Sequence, residues 1–323
     1  MAAPITLKEI PLAAVDLEDH AFVVPSSRDV ERLTTSMAEV GLLAPPWLRA
    51  RPDKRWQVVA GCKRLLAATQ LGWERVPALI LPPSAPDSHC LLVSLYDNAF
   101  TRGFNLWEMA FFATRLLNHW DRQTVVAKFL PYLGLTPSGA HLDRLVALFS
   151  LEGPLKELAA RGRLALTAAS ALAGWDPEAR AAVLPYLNAL PLSQSKQEEF
   201  LEGLDLLARR EGTTPREILS RPELEQYLVN KGPTPQERAE AVRRQLKRWV
   251  SPSFAAAQDA FGALLGRLGL KSHPRLRLQP PPAFEGPDFH LEVKFQDARE
   301  LENLLKELTR LVQQEDFSRL TNL

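Results

Sequence analysis

The spacing of apolar residues predicts alternating strands and helices at the start of the chain. Apolar residues recur at helical spacing over Arg28–Val40 and Lys63–Leu71, and short β-branched or aromatic runs lie between and after these segments. The predicted strands are Pro46–Arg49, Trp56–Ala60 and Val76–Leu81. Strands that alternate with helices are typical of an α/β domain, here with a sheet that is parallel or mixed.

The rest of the chain follows two other patterns. From Asp87 to about residue 230 the periodicity is almost purely helical, and segments on both sides of a GLTPS turn form a helix-turn-helix candidate at about 122–151. A charged helix comes next. Arg275–Gln279 and Phe289–Phe295 then alternate as half-buried strands do, before a leucine-rich helix that Asp297 can cap.

These patterns predict a chain of four parts. The first, at 1–82, is α/β, and the second, at 83–230, is all-α and carries the helix-turn-helix candidate. Basic linker helices occupy 231–272, and a small strand-strand-helix unit occupies 273–323.

The composition indicates a soluble globular protein. The chain has 323 residues, of which 46% are hydrophobic and 24% are charged, and this is the usual balance for two or three globular domains. Its two cysteines, Cys62 and Cys90, are too few for a disulfide framework or a zinc site of four thiolates. No apolar run approaches the roughly 18–20 residues that span a bilayer, so we expect a cytoplasmic protein.

The net charge excludes a protein that coats nucleic acid through bulk charge. Lys and Arg number 39 against 38 Asp and Glu, which gives +1, so any contact with DNA must come from a local patch. The clearest patch lies on the charged helix, where five cations outnumber Glu237 and Glu240. These cations are Arg238, Arg243, Arg244, Lys247 and Arg248. A solvated face on a linker helix is the alternative interpretation.

The junction VVAGCKRLLAA carries candidate binding chemistry. Gly61 stands between a predicted strand and a predicted helix, where a glycine lets the backbone approach a ligand closely. Lys63 and Arg64 lie in the first helical turn, where the helix dipole disfavours cations. Their position is understandable if a phosphate or similar anion binds there, because the first N–H groups of a helix are unpaired. Two surface cations near a turn are the alternative.

Residues 5–81 resemble the N-terminal domain of the ParB/RepB-type partition family, part of the ParB/sulfiredoxin superfamily. Three blocks carry the resemblance in the family's order. Ser36–Pro45 matches S-I-x-x-x-G-L-L-x-P, Val59–Ala68 matches V-x-G-x-R-R-x-x-A-A, and Leu71–Pro77 matches L-G-x-x-x-V-P. The family's second box, E-N-L-Q-R-x-D-L-N-P-x-E-x-A, is similar to DNAFTRGFNLWEMA at 97–110. The resemblance implies a ParB/sulfiredoxin-like fold for the N-terminal domain.

The resemblance also implies a nucleotide site. In the family the arginine box binds nucleotide phosphates, those of CTP in the partition proteins, and this implies phosphate contacts for Gly61, Lys63 and Arg64. Gly41 matches a glycine beside the nucleotide. Asp97 and Asn98 match residues near the nucleotide and its magnesium ion. Whether the chain is an enzyme, for example a weak CTPase, stays open, and no catalytic residue is assigned.

The chain departs from the family's boxes at several positions. Cys62 replaces the acid of the arginine box, and Leu66 replaces its last arginine. Lys63 stands for an arginine and loses its planar bidentate geometry. Thr101 holds the arginine position of the second box, with Arg102 one place further along. These departures leave the identity of the nucleotide and its hydrolysis open.

Cys62 keeps other functions open. Sulfiredoxins carry G-G-C-H-R at this turn, with a nucleophilic cysteine beside ATP, and AGCKR resembles that motif. A thiol at a helix N-terminus beside two cations is more readily deprotonated. A sulfiredoxin-like reductase is therefore an alternative. A ParB-like small-molecule kinase is another, since such kinases use an acidic base near the first helix and Asp16, Glu18, Asp19 and Asp29 lie in that region. A degenerate ParB-like scaffold that binds a protein partner is a further one.

The middle and C-terminal regions resemble the family more loosely. The segment AKFLPYLGLTPSGAHLDRLVALFSL occupies the place of the family's helix-turn-helix, but it carries few side chains that reach base edges. Phosphate contacts with DNA are therefore assigned to Lys128, Arg144, Arg243, Arg244, Lys247 and Arg248. A purely structural helical bundle is the alternative. The segment FHLEVKFQDARELENLLKEL resembles the family's dimerisation module.

The sequence as a whole favours a ParB-like DNA-binding protein with a CTP-binding N-terminal domain. Such a protein acts in DNA partition or in transcription-related DNA loading. The resemblance implies DNA and a second copy of the chain as partners, together with a partition ATPase. It also implies a nucleoid-associated position in the cytoplasm, with no membrane contact.

Overall fold

The computed structural model describes residues 5–23, 29–230, 232–286 and 288–322. These residues cluster into two compact units. The first comprises the described residues up to Asn188 together with Leu192–Leu201, and the second comprises Ala189–Pro191 and the described residues from Glu202 onward. The finer division into four parts stays a prediction.

A five-stranded mixed sheet begins the first unit. Its strands are β1 (Thr6–Pro11), β2 (Val15–Asp16), β3 (Trp47–Ala50), β4 (Trp56–Ala60) and β5 (Arg75–Leu81). In the order β1-β5-β3-β4-β2, the β1–β5 and β3–β4 pairs are antiparallel, whereas β3–β5 and β2–β4 are parallel. The α/β architecture expected at the N-terminus, with a mixed sheet, is confirmed.

Two helices complete this α/β part, α1 (Glu31–Val40) and α2 (Cys62–Gln70). Met37 of α1 packs with Ala67 and Ala68 of α2 in one buried cluster, and Leu65 of α2 reaches a second cluster formed by the sheet. Both helices were predicted, although the predicted start of α1 at Arg28 lies outside the described residues. Because its buried face is anchored in this way, α2 holds its N-terminus at a fixed place beside the end of β4.

Helices form the rest of the first unit. They are α3 (Asp87–Ala99), α4 (Leu106–Leu117), α5 (Arg122–Thr124), α6 (Gly139–Ser150), α7 (Gly153–Ala160), α8 (Leu166–Ala173) and α9 (Pro177–Ala189), whose last residue belongs to the second unit. A capping box starts α4, where the Asn105 side chain accepts from the Glu108 N–H and the Glu108 side chain accepts from the Asn105 N–H. α6 packs against α4 and α8. The helical periodicity read from the sequence is confirmed here.

The helix-turn-helix candidate is irregular in its first half. After α5, the chain makes a π turn at Val125–Phe129 and a 3₁₀ turn at Leu130–Leu133. Pro131 lacks the N–H that a continuous α-helix needs, and Gly134 ends the segment in a left-handed conformation with φ 80°. The segment and α6 thus flank a five-residue turn, but DNA binding by this pair of helices stays a prediction.

The second unit combines helices with a strand pair. Its elements include α10 (Gln194–Glu211), in which the boundary between the units falls, α11 (Pro215–Leu219), α12 (Pro222–Val229), α13 (Pro235–Val250), α14 (Pro252–Arg267), β6 (Leu276–Gln279), β7 (His290–Val293), α15 (Ala298–Val312) and α16 (Glu315–Thr321). β6 and β7 are antiparallel, with Leu276 opposite Val293. The strand-strand-helix unit expected at the C-terminus is therefore present.

The leucine stripe of α15 lies mainly inside the second unit. Leu304, Leu308 and Leu311 are buried in a core shared with α14 and β6, while Leu305 and Val312 are each 52% exposed. The Asp297 side chain accepts from the Glu300 N–H and caps the helix, as predicted. Dimerisation through α15 stays a prediction. Across the described ranges, no helix is long and apolar enough to cross a membrane.

Candidate functional site

The turn between β4 and α2 can be formed only by a residue that tolerates a left-handed backbone. Gly61 has φ 88° and ψ 22° and is the N-cap of α2. A Cβ built on Gly61 would lie 2.9 Å from Pro46 Cβ and 3.1 Å from Arg64 Cζ. The bare glycine therefore lets the turn fold against the residues that precede β3, and it exposes backbone at the start of α2.

A cavity of about 510 Å³ opens at this turn. It lies between the β4–α2 junction and the helices α3 and α4. Its polar lining includes Gly61, Cys62, Lys63, Arg64, Ser94, Asp97, Asn98, Thr101, Arg102 and Glu108, and its apolar lining includes Leu17, Val23, Leu33, Leu66 and Phe112. Such a lining suits a ligand that has both an anionic and an apolar part.

Five of the six predicted nucleotide residues line this one cavity. Gly61, Lys63 and Arg64 reach it from the β4–α2 junction, and Asp97 and Asn98 reach it from α3. The sixth, Gly41, is not among the described residues of the lining. It ends α1 with φ 78° and ψ −168°, a conformation with positive φ that is open mainly to glycine.

The two cations of the arginine box differ in their partners. Arg64 donates from Nη1 to the backbone oxygens of Ala44 at 2.9 Å and Pro45 at 3.1 Å, and from Nη2 to Asp97 Oδ2 at 2.7 Å. The side chains of Arg64 and Asp97 are 18% and 21% exposed. Lys63 is exposed and forms no ion pair within the described residues. Of the two, Lys63 is therefore the cation that is available to a ligand without rearrangement.

A second polar network closes the α3–α4 side of the cavity. Arg102 donates from Nη1 and Nη2 to the two carboxylate oxygens of Glu108, at 2.9 and 2.7 Å, and from Nε to Asn98 Oδ1 at 3.0 Å. Glu108 is only 2% exposed and also accepts from the Asn105 N–H. The network holds Asn98 in place, so that α3 and α4 present a fixed wall to the cavity.

Sequence reasoning missed some residues of the lining. The cavity also contains His20, whose Nδ1 atom is buried without a hydrogen-bond partner, and Ser94, whose hydroxyl donates to Phe22 O at 2.8 Å. No motif points to either residue. Arg102 could have been found from the sequence, because it lies one residue after Thr101, the position at which the family's second box carries an arginine.

The residues assigned to magnesium do not form a metal site by themselves. Asp97 is paired with Arg64, and the Asn98 side-chain oxygen accepts from Arg102. Within the part of the chain that the structure describes, no cluster of three or more His, Cys, Asp or Glu residues could hold a metal ion. Mg²⁺ usually takes one or two free carboxylates together with phosphate oxygens. The donors present therefore do not fit a resident magnesium ion.

The predicted DNA contacts in the first unit lie on the helix-turn-helix candidate. Lys128 is exposed, with its Nζ 5.3 Å from the centroid of the Phe129 ring. Arg144 is partly buried near an acid. Hydrogen bonds from Thr167 and then Gln194, with a smaller contribution from the charge of Arg144, hold the pKa of Glu198 below its ordinary value. Lys128 is thus the more accessible of the two cations.

The predicted basic patch of α13 is partly neutralised. Arg243 donates to Glu240 at 2.9 Å, and Arg248 donates to Asp259 of α14 at 3.1 Å. Lys247 is exposed but engaged in a further interaction. Arg244 is exposed and makes no ion pair with any described residue. The structure therefore gives a weaker patch than the count of charges along the sequence suggests.

Comparison with known proteins covers the part of the chain that supplies most of the cavity lining. Residues 5–99 match the family model of the ParB N-terminal domain. Nucleoid occlusion proteins of Bacillus cereus strain AH187 and Bacillus anthracis strain A0248 are each 36% identical to the chain over 69 residues. The match covers 21% of this chain and spans only 23% of the length of these curated relatives.

Solved structures give a weaker likeness. The C-terminally truncated ParB of Caulobacter crescentus, complexed with CTP-γ-S, is 22% identical with a TM-score of 0.26, and the match covers 57% of this chain and 99% of that one. The same protein complexed to the centromeric parS site is also 22% identical, with a TM-score of 0.34, and the match covers 59% of this chain and 96% of that one. A Pnob8-like ParB-N domain is 15% identical, with a TM-score of 0.38, and covers 77% of this chain and 98% of that one. The ligands belong to those proteins.

Proposed function

Because the chain belongs to the ParB-type family through the N-terminal domain at residues 5–99, we propose that its cavity binds a nucleoside triphosphate, CTP in the first place. The protein would be a DNA-binding protein whose N-terminal domain senses this nucleotide. It would act in DNA partition or in a related form of DNA loading, in association with the nucleoid.

The observation that carries this proposal is the arrangement of the arginine box around the cavity. Gly61 exposes backbone at the start of α2, and Lys63 and Arg64 place two positive side chains in the same turn. The helix dipole adds a partial positive charge at this end. The volume of about 510 Å³ lies within the range of roughly 300–1,000 Å³ that is usual for small-molecule sites.

Each part of the ligand would have a different environment. Phosphate oxygens would accept from the first N–H groups of α2 and from Lys63, which is exposed and has no acidic partner in the described residues. The apolar lining residues Leu17, Val23 and Leu33 would cover the base or the sugar. The wall formed by Asn98, Arg102 and Glu108 would fix polar groups of the ligand without moving.

The DNA contacts would rest on charge more than on base reading. The segment Thr136–Arg144 offers few side chains suited to base edges. Exposed Lys128 and Arg244 would instead contact phosphates, with Arg144, Arg243, Lys247 and Arg248 joining once their present partners are displaced. Binding of this kind weakens steeply as the salt concentration rises.

Protein partners follow from the same proposal. Leu305 and Val312 of α15 are half-exposed, whereas Leu304, Leu308 and Leu311 of the same helix are buried. We assign to Leu305 and Val312 the contact with a second copy of the chain. Sedimentation of the full chain with Leu305→Asp and Val312→Asp tests this contact, since loss of the dimer is expected. A partition ATPase would be a further partner, tested by co-sedimentation of the full chain with a purified partition ATPase.

Calorimetric titration tests the nucleotide site. We expect the full chain to release or take up heat with CTP, more strongly than with ATP or GTP, in the presence of magnesium. Lys63→Ala is expected to weaken binding about tenfold or more, because a charge-assisted contact with phosphate is lost. Lys8→Ala, an exposed cation on β1 outside the cavity, is the matched control. Absence of binding by all three nucleotides would contradict the proposal.

A further inference from the structure

The ion pair between Arg64 and Asp97 occupies part of the site proposed for the ligand. Both side chains line the cavity, and Arg64 Nη2 lies 2.7 Å from Asp97 Oδ2. The other terminal nitrogen, Nη1, is held by the carbonyls of Ala44 and Pro45. The guanidinium of Arg64 is therefore held by the segment before β3 on one side and by Asp97 of α3 on the other. It lines the cavity while it is paired with the Asp97 carboxylate.

A carboxylate and a phosphate compete for the same face of a guanidinium. Both anions accept from its N–H groups in a planar, directional geometry, and a donor shared by two anions binds each of them less well. The pair is only about one-fifth exposed, so it is screened less than a surface pair. Lys63, in the same helical turn, has no such competitor among the described residues.

We propose that Asp97 is an internal competitor that occupies the anion position on Arg64 until a phosphate of the ligand replaces it. The inference rests on the proposed function of the cavity. Arg64 and Asp97 then act as a selective element. A ligand with a single anionic group gains the contact with Lys63 alone, whereas a ligand with two or three linked phosphates also displaces Asp97 and gains Arg64. The site thus favours di- and triphosphates over monophosphates.

The proposal predicts that removal of the competing charge strengthens binding. Asp97→Asn keeps the size of the side chain but gives Arg64 a neutral partner. We expect its dissociation constants for CTP and for inorganic pyrophosphate to fall roughly threefold to tenfold, because a partly screened ion pair no longer has to be broken. Binding of inorganic phosphate is expected to change less. Asp87→Asn is the matched control, since Asp87 is an α3 acid paired with Arg49 at 2.8 Å that does not line the cavity.

A double-mutant cycle separates exchange at Arg64 from a general loss of negative charge. In an Arg64→Ala background, titrated to millimolar pyrophosphate, Asp97→Asn is expected to have no effect beyond twofold, whereas in a Lys63→Ala background the gain is expected to persist. Arg64→Gln, which removes the charge but keeps a long polar side chain, replaces Arg64→Ala in the cycle if the alanine variant does not fold.

The outcomes distinguish this inference from the proposed function. If the wild-type chain binds CTP but Asp97→Asn binds no better or binds more weakly, Asp97 is a ligand contact and the inference is wrong. A gain that survives without Arg64 is a through-space effect of charge and also overturns it. If neither protein binds CTP, ATP, GTP or pyrophosphate, the proposed function itself fails and the inference fails with it.

Discussion

Gly61 and Pro46 approach each other so closely that a Cβ on residue 61 would lie 2.9 Å from the proline Cβ and 3.0 Å from its Cα. The contact joins the β4–α2 turn to the segment before β3. That segment also supplies the two carbonyls that hold Arg64. The close approach thus sets the position of the arginine box, and a side chain at residue 61 would displace it.

Gly61→Ala is expected to destabilise the protein and abolish ligand binding. The substitution combines a positive φ of 88° with a clash against backbone, and together these cost about 2–4 kcal/mol of unfolding free energy. Gly72→Ala is the matched control, because Gly72 has φ 71° but no atom within 4 Å of a built Cβ. Urea denaturation should show the larger loss at residue 61. Equal losses at the two positions would mean that the contact with Pro46 is unimportant.

Glu108→Gln is expected to loosen the wall of the cavity. Glu108 is 2% exposed and accepts from Arg102 and from the Asn105 N–H, so the substitution leaves Arg102 without a charged partner. Because Arg102 is 46% exposed and partly screened, we expect a loss of about 2–3 kcal/mol, measured by urea denaturation.

Glu157→Gln is the control for that variant. Glu157 pairs with Arg161 at 3.5 Å, and both side chains are more than two-thirds exposed. Exposed pairs of this kind contribute little to stability, so no measurable change is expected. If Glu108→Gln is as well tolerated as Glu157→Gln, the Arg102–Glu108 pair does not hold the wall.

Local sequence patterns predicted the fold of the site well, since they reflect short-range rules. A β-branched run at Trp56–Ala60, a glycine and an amphipathic helix define the β4–α2 junction, and the structure places these elements within one or two residues of the prediction. Gly61 was predictable because a tight turn between a strand and a helix often needs a positive φ, which glycine adopts most easily.

Partners that are distant in sequence were not predictable. Asp97 lies 33 residues from Arg64, and only the packing of α3 against β4, which leads directly into α2, brings the two together. Asp259 similarly neutralises Arg248 from a neighbouring helix, so a count of charges along α13 overstates the patch. Gly41 shows the same limit, because the sequence reveals a glycine after a helix but not its ψ of −168°.

Arg244→Ala is expected to weaken DNA binding more than Arg243→Ala. Arg244 is exposed without an ion pair in the described residues, whereas Arg243 must leave Glu240 before it can contact a phosphate. Fluorescence anisotropy with a DNA duplex, repeated at several salt concentrations, measures the effect. Loss of one phosphate contact reduces the salt-dependence slope by about 0.9. An unchanged slope for Arg244→Ala would exclude Arg244 from the DNA interface.

The two thiols are expected to react at very different rates. Cys90 is fully buried, and burial raises the pKa of its thiol to about 11, so fewer than about one molecule in a thousand carries the thiolate at neutral pH. Cys62 lines the cavity and is partly exposed. A chromogenic disulfide reagent should therefore modify one thiol per native chain. Fast modification of both thiols would contradict the burial of Cys90.

Experiments on Cys62 also distinguish a nucleotide-binding protein from an enzyme of the same superfamily. If the cavity only binds a nucleotide, CTP should protect Cys62 from the reagent, and Cys62→Ser should change the affinity for CTP by less than about twofold, because serine nearly preserves the size of the side chain. A nucleotide-dependent enzyme with a cysteine nucleophile would instead lose all turnover in Cys62→Ser while keeping its affinity for the nucleotide. Release of phosphate from CTP or ATP by both proteins, followed over time, decides between these outcomes, and Cys90→Ser serves as the control for loss of a thiol outside the cavity.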